Sequence, residues 1–467
     1  MGGFFGVVSK ENCVNDLFYG TDYHSHLGTK RGGMAVVNSE GFSRAIHNIE
    51  NAYFRNKFEQ DLPKFNGKNG IGVISDYEPQ PLIINSHLGK FGIVTIGKIV
   101  NVDELKDRAF KNNLHFSEIN GSDINPTELV AMLIAEEPTF EDGIQNVYNR
   151  IKGSCSILIL TEKGIYAARD KLGRTPVIIA KRHNAFAAAS ESSSFPNLDF
   201  EYYKDLGPGE IVLLTAEGCQ QLKKPGDKMQ ICAFLWVYYG YPSSTYEGIN
   251  VEKSRYRCGA ALAKNDDIDI DFVSGIPDSG IGHAIGYSNQ KKIPYMRPYV
   301  KYTPTWPRSF MPQSQELRSL VAKMKLIPNK DIIKDKKIVF CEDSIVRGTQ
   351  LQDTVQILYD YGAKEIHMRP SCPTLIHSCD FLNFSRSRSI LDLAGRKAIK
   401  EIEGKDDVNL KEYANPDSEK YKEMVEKIRI RLKLTSLKFQ RMDDLVKAIG
   451  LPKEKLCTHC WDKSSYF

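Results

Sequence analysis

Long apolar runs are missing from this sequence: no stretch of the 467 residues approaches the uninterrupted length that a membrane helix needs. An excess of one charge is missing too. Sixty-three Lys and Arg stand against 58 Asp and Glu, a formal net charge of +5 without a basic block, which makes nucleic acid and membrane surfaces poor partners. The opening "MGGFFGVVSK" has no charged leader before its apolar residues. Gly6 occupies the place where a myristoylation signal needs Ser or Thr, so the glycine pair at its start does not announce a lipid anchor. The expected location is the cytoplasm. No internal repeat or low-complexity tract appears, and the length calls for two domains, each able to bury a core.

Ten cysteines are present, but in a large cytoplasmic chain they do not read as a disulfide framework. Cys13, Cys155, Cys219 and Cys258 stand singly in apolar surroundings, where a buried inert thiol is expected. Cys341 and Cys372 flank other motifs without an obvious partner. The C-terminal "LCTHCW" differs, because Cys457 and Cys460 form a C-x-x-C pair that can grip a metal or cluster.

Two halves separate along the chain. Up to about residue 225, short strands ("GIGVIS", "FGIVTIGKIV", "SCSILILTEKGIYAARD", "GEIVLLTAEG") alternate with helical stretches such as "TELVAMLIAEE", an α+β sandwich-like pattern. The connector "LKKPGDKMQ" marks a boundary, giving expected domains 1–225 and 226–467. The second half alternates strand and helix, which implies a parallel sheet whose ligands sit at the carboxyl ends of its strands.

One of those strand ends is "KKIVFCEDSIVRGTQLQDTVQIL". An apolar strand runs into Glu342 and Asp343, then a loop from Ser344 to Thr349, then an amphipathic helix. Backbone N–H groups entering a helix N-terminus form a phosphate cradle, and the two carboxylates are placed to hold ribose hydroxyls or Mg²⁺.

The loop "EDSIVRGT" resembles the phosphoribosyl pyrophosphate (PRPP) loop of type I phosphoribosyltransferases, in the form found in the glutamine PRPP amidotransferase family. "IPDSGIGHAIGY", "RSFMPQSQELRSLVAKMKL", "YGAKEIHMRPSCP" and "IGLPKEKLCTHC" extend the resemblance in the right order. It implies an N-terminal-nucleophile (Ntn) hydrolase-like sandwich followed by an α/β phosphoribosyltransferase domain. It further implies Glu342, where the family usually has Asp, and Asp343 as ribose and Mg²⁺ carboxylates, with Ser279 as the remaining metal-associated position. Ser344, Ile345, Val346, Arg347, Gly348 and Thr349 would hold the 5-phosphate. Arg308, Arg318, Lys323 and Lys325 would lie on a closing loop and neutralise pyrophosphate, Arg308 and Lys325 taking part in catalysis. In one branch of the family four cysteines hold a 4Fe-4S cluster, and Cys232, Cys379, Cys457 and Cys460 match them. Four thiolates suit Zn²⁺ equally, and spacing alone points to zinc; the resemblance favours iron–sulfur. The resemblance also implies a homotetramer inhibited by purine nucleotides.

The family's N-terminal domain begins with a cysteine nucleophile, and here the matching residue is Gly2, which cannot form a covalent intermediate. Cys13 lies inside the following segment, without an α-amine base of its own. Where the family has the Arg that grips the glutamine carboxylate, "GVISDYE" places Ser75. Where the family has "HNGN", whose Asn and Gly form the oxyanion hole, "TIGKIVN" leaves Ile96, Gly97 and Lys98. Asp123 or Asn125 stands near the place of the acid that binds the glutamine amine. Tyr19, Gly20, His26 and Gly28 are retained, so the fold is expected to survive a lost glutaminase. Two functions follow as expectations. One is an ammonia-dependent enzyme making 5-phosphoribosylamine from PRPP for purine synthesis. The other is a non-catalytic relative that binds PRPP or nucleotides and regulates an active family member. Transfer of ribose phosphate to a different amine is a third possibility.

Overall fold

The computed structural model describes residues 2–120, 123–302, 326–382 and 390–465. Two antiparallel sheets lie face to face in the first half. One runs in the order Glu201–Asp205, Ile178–Arg182, Ala185–Ala189, Gly2–Ser9, Asn69–Ser75, Arg31–Asn38, Gly41–Asn48. The other runs Cys219–Lys223, Ile211–Leu214, Gly164–Ala168, Gly153–Thr161, Gly89–Ile99, Leu82–Ser86.

The opening strand shows why "GGFFGVVS" is apolar on both faces. Successive side chains point to opposite sides of a sheet. Phe4 and Val8 enter the core between the two sheets with Ile71, Val94 and Leu158. Phe5 and Val7 face the other way, against Leu17 and Phe18 of the helix Val14–Asp22. The second sheet's outer face is covered by helices Pro126–Ile134 and Phe140–Arg150. The result is four layers, helix on sheet on sheet on helix. Burial of each such side chain contributes about 1.5–3 kcal/mol, so this half has a full interior of its own.

In the second half, Phe272–Gly275, Lys337–Glu342, Glu365–Pro370 and Ser436–Leu437 form a parallel sheet in that order. Parallel neighbours need crossover connections, and helices Gly280–Lys291 and Thr349–Asp360 follow the first two strands. A short parallel ladder pairs Ile231 with Leu456 and Cys232 with Cys457, which brings the C-terminal segment back to the start of this half. Among the described residues no helix is long and apolar enough to cross a membrane.

Candidate functional site

Glu342 ends the central parallel strand and Asp343 follows it, buried. Two hydroxyls converge on Asp343: Ser279 Oγ donates to Oδ2 at 2.5 Å and Ser344 Oγ to Oδ1 at 2.6 Å. Ser279 precedes the helix Gly280–Lys291, so two successive strand–helix crossovers meet at this carboxylate. The Asp343 N–H donates to Glu342 Oε1 at 3.1 Å. Burial, and then the neighbouring Asp343 carboxylate, push the Glu342 carboxyl well above the ordinary range. Lys301 pairs with Asp278 at the rim of the same strand ends.

The loop after Asp343 is pinned from below. Ile345 is buried, and the Val346 carbonyl accepts the Ala394 N–H at 2.7 Å. Gly348 has φ +77°, a left-handed turn that glycine adopts without strain, and Thr349 opens the helix. The backbone N–H groups of Ser344 to Gly348 have no acceptor among the described residues. Five donors at a helix entrance beside two carboxylates suit a phosphorylated sugar. Arg347 turns aside, its guanidinium 3.4 Å from Asp392.

A second constellation lies at the junction of the two halves. Cys232, Cys379, Cys457 and Cys460 line one small pocket walled by Arg174, Phe234, Phe381, Leu382 and Trp461. Cys379 Sγ accepts the Leu382 N–H at 3.3 Å. A hydrogen bond between Cys460 and Cys379 lowers the Cys379 thiol and pushes Cys460 up. Burial raises Cys232 and Cys457. Here Cys379 and Cys460 share a hydrogen bond, and among the described residues no three His, Cys, Asp or Glu side chains are set at coordinating geometry. The donor set is nonetheless four thiols in one enclosed, largely apolar pocket, which is what a cluster or Zn²⁺ needs.

The edge of the first half carries a third set. Gly2 pairs with Ser75, and a Cβ added to Gly2 would lie 2.7 Å from the Ile74 carbonyl oxygen. Ser75 is buried and its Oγ accepts the Tyr77 N–H at 3.1 Å. Ile96 packs in the inter-sheet core, and Gly97 (φ +139°) lies so close to Ser154 that a Cβ would sit 2.1 Å from its carbonyl oxygen. Asn125 caps the helix Pro126–Ile134 by accepting the Thr127 N–H, and Asp123 pairs with Lys106. Cys13 is buried, which pushes its thiol up to about 12. His26 meets the buried Glu191 at 2.9 Å, and Tyr246 donates to the same carboxylate.

Comparison with known proteins fits both halves. The amidophosphoribosyltransferase of Methanocaldococcus jannaschii is 30% identical over 98% of this chain and 96% of its own. This chain belongs to the amidophosphoribosyltransferase family. The Bacillus subtilis amidophosphoribosyltransferase is also 30% identical, over 86% of this chain and 85% of its own. A glutamine amidotransferase domain matches residues 70–197. The solved B. subtilis glutamine PRPP amidotransferase, complexed with ADP and GMP, superposes with a TM-score of 0.85 at 27% identity, covering 98% of this chain and 96% of that one. A second structure, of an allosteric regulatory enzyme of purine biosynthesis, gives 0.84 at 27%, covering 98% and 95%. The fold is therefore the Ntn glutaminase sandwich joined to a phosphoribosyltransferase domain, as the sequence led us to expect.

Against that family frame, Ser279, Glu342, Asp343 and the loop from Ser344 are brought together, and so are the four cysteines. Arg308, Arg318, Lys323 and Lys325 lie outside the described residues. The sequence reading passed over Lys301 by the strand ends and Arg174 by the cysteines, and it named Lys98 only at the lost oxyanion position, not beside the cysteines. Their partners are distant in sequence, so no local motif announces them.

Proposed function

We propose that this chain transfers ammonia to C1 of PRPP, giving 5-phosphoribosylamine, and that glutamine is not its nitrogen source. The ammonia lone pair forms the new bond to C1, the bond from C1 to the pyrophosphate oxygen breaks with its electrons leaving on pyrophosphate, and the added nitrogen releases a proton. The carboxylate pair beside the open N–H loop carries this reading. Asp343, Glu342 and the Ser279 hydroxyl are the hard oxygen donors that Mg²⁺ takes, and bound Mg²⁺ would neutralise charge on the leaving group. The loop from Ser344 to Thr349 would hold the 5-phosphate, and the cationic Arg308 and Lys325 would neutralise pyrophosphate, as the family resemblance implies. We take the two functional units to divide near residue 225.

The glutaminase site lacks its chemistry under this reading. Gly2 offers no thiol, Cys13 is buried with its thiol protonated, Ser75 offers no cation for a substrate carboxylate, and Ile96 is apolar where an oxyanion donor would stand. The four cysteines would hold a 4Fe-4S cluster, or Zn²⁺, that fastens the C-terminus to the domain junction. One feature favours a second reading, a PRPP-binding regulator of an active family member. Burial, and then the Asp343 carboxylate, raise the Glu342 carboxyl above its ordinary value, which disfavours the charged form that a metal ligand needs.

Two measurements separate these readings: PRPP binding by calorimetry with Mg²⁺, and pyrophosphate release with PRPP and ammonium chloride. Binding with release supports the transferase. Binding without release moves the assignment to the regulator, and absence of binding removes both.

A further inference from the structure

Two cations of the N-terminal half lie by the cysteine pocket, Lys98 on the strand Gly89–Ile99 and Arg174 in the loop before the strand Ile178–Arg182. Lys98 Nζ donates to the Cys379 carbonyl oxygen at 3.1 Å, across 281 residues of sequence. Among the described residues Lys98 has no carboxylate within ion-pair distance. The Arg174 guanidinium lies 3.6 Å from the Phe381 ring centroid, in the pocket wall, and donates to Ser465 Oγ at 3.1 Å. Ser465 Oγ in turn lies 3.8 Å from Cys457 Sγ. The Arg174 carbonyl accepts the Cys232 N–H at 3.2 Å.

The two cations share a support. Lys98 pairs with Ser154 and Ile99 with Gly153 across the neighbouring strands, and Arg174 donates to the Gly153 carbonyl at 3.2 Å. Two carboxylates stand nearby, each with its own partner: Asp380 meets His459 at 3.3 Å and Asp462 meets Lys453 at 3.0 Å. Four thiolates outweigh the positive charge of Zn²⁺ or of an oxidised cluster core, so the loaded site is negative overall.

We propose that Lys98 and Arg174 are the charge partners of the metal group in the cysteine pocket, so that the strand resembling the family's oxyanion edge now serves to hold and tune that group. This inference rests on the cysteine reading given above. A cation beside the pocket favours the more negative state. Removing it disfavours one-electron reduction of a cluster and eases loss of the metal.

The test uses the full chain, purified anaerobically, as natural protein, Lys98→Ala and Lys98→Arg. The midpoint potential is followed by visible absorbance in a dithionite titration, and bleaching is timed in air. Lys98→Ala is expected to shift the midpoint to more negative potential and to bleach several-fold faster, with Lys98→Arg close to the natural chain. If the natural chain carries zinc instead, the expected result is several-fold faster zinc transfer from Lys98→Ala to a chromogenic chelator. A Lys98→Ala variant that matches the natural chain in these measurements overturns the inference and leaves the cysteine reading standing. A natural chain with neither iron nor zinc overturns both.

Discussion

The Ser279 hydroxyl donates a 2.5 Å hydrogen bond to Asp343 Oδ2, joining the ends of adjacent parallel strands 64 residues apart. That bond fixes the orientation of the buried carboxylate facing the open N–H loop. Hydrogen bonds to charged groups contribute about 1.5–3 kcal/mol. Ser279→Ala is therefore expected to lower kcat/KM for PRPP roughly 10- to 100-fold, and Asp343→Asn to lower it further. Initial rates of pyrophosphate release with ammonium, alongside circular dichroism to confirm folding, check this.

The raised Glu342 carboxyl makes stability depend on pH. Its folded value lies above the ordinary 4.5, with burial as the leading cause and Asp343 next. The folded chain therefore holds this proton more tightly than the unfolded one. The associated stability is fully present below the ordinary value and is lost as pH rises through the raised value. Glu342→Gln, free of Mg²⁺ and PRPP, is expected to melt higher than the natural chain at pH 8, by a few degrees (about 1 kcal/mol), with the gap closing toward pH 5. An equal difference in Tm at both pH values would contradict this account.

Cys457→Ser tests the cysteine pocket. The Cys232–Cys457 register places these residues side by side, so loss of one thiol should remove the metal and loosen the segment after Leu456. Iron and zinc content, visible absorbance and limited proteolysis read this out. Retained metal with unaltered proteolysis would mean that the four cysteines are not a ligand set.

Restoring a thiol at the opening strand should not restore a glutaminase. A Cβ at Gly2 would meet the Ile74 carbonyl at 2.7 Å, so Gly2→Cys is expected to lose about 1–3 kcal/mol to overpacking. The absence of an oxyanion donor at Ile96 costs a further ~10²–10³ in rate. Glutamate formation from glutamine, with Tm as the control, measures both effects.

What the sequence conveyed and what it hid follow from chain distance. The run from Lys337 to Asp360 is a strand, a loop and a helix joined in order, so its apolar periodicity and its carboxylates predict a site directly. The side-chain directions within it were not legible. Ser279 donates to Asp343 from 64 residues away and Arg347 turns to Asp392, because both answer to charges that only the fold brings near. The four cysteines could be matched through the family resemblance, but Lys98 could not, since its partner carbonyl is 281 residues away. Glu191 went unnoticed for the same reason: its partners His26 and Tyr246 come from opposite sides of it in the chain.

The most direct test of the central claim follows the nitrogen. The natural chain is incubated with PRPP, Mg²⁺ and either amide-labelled nitrogen-15 glutamine or nitrogen-15 ammonium chloride at alkaline pH, and 5-phosphoribosylamine is trapped for mass spectrometry. The prediction is labelled product from ammonium and none above background from glutamine. Labelled product from glutamine would contradict the account, because it would require a working nucleophile at an edge where Gly2 offers none.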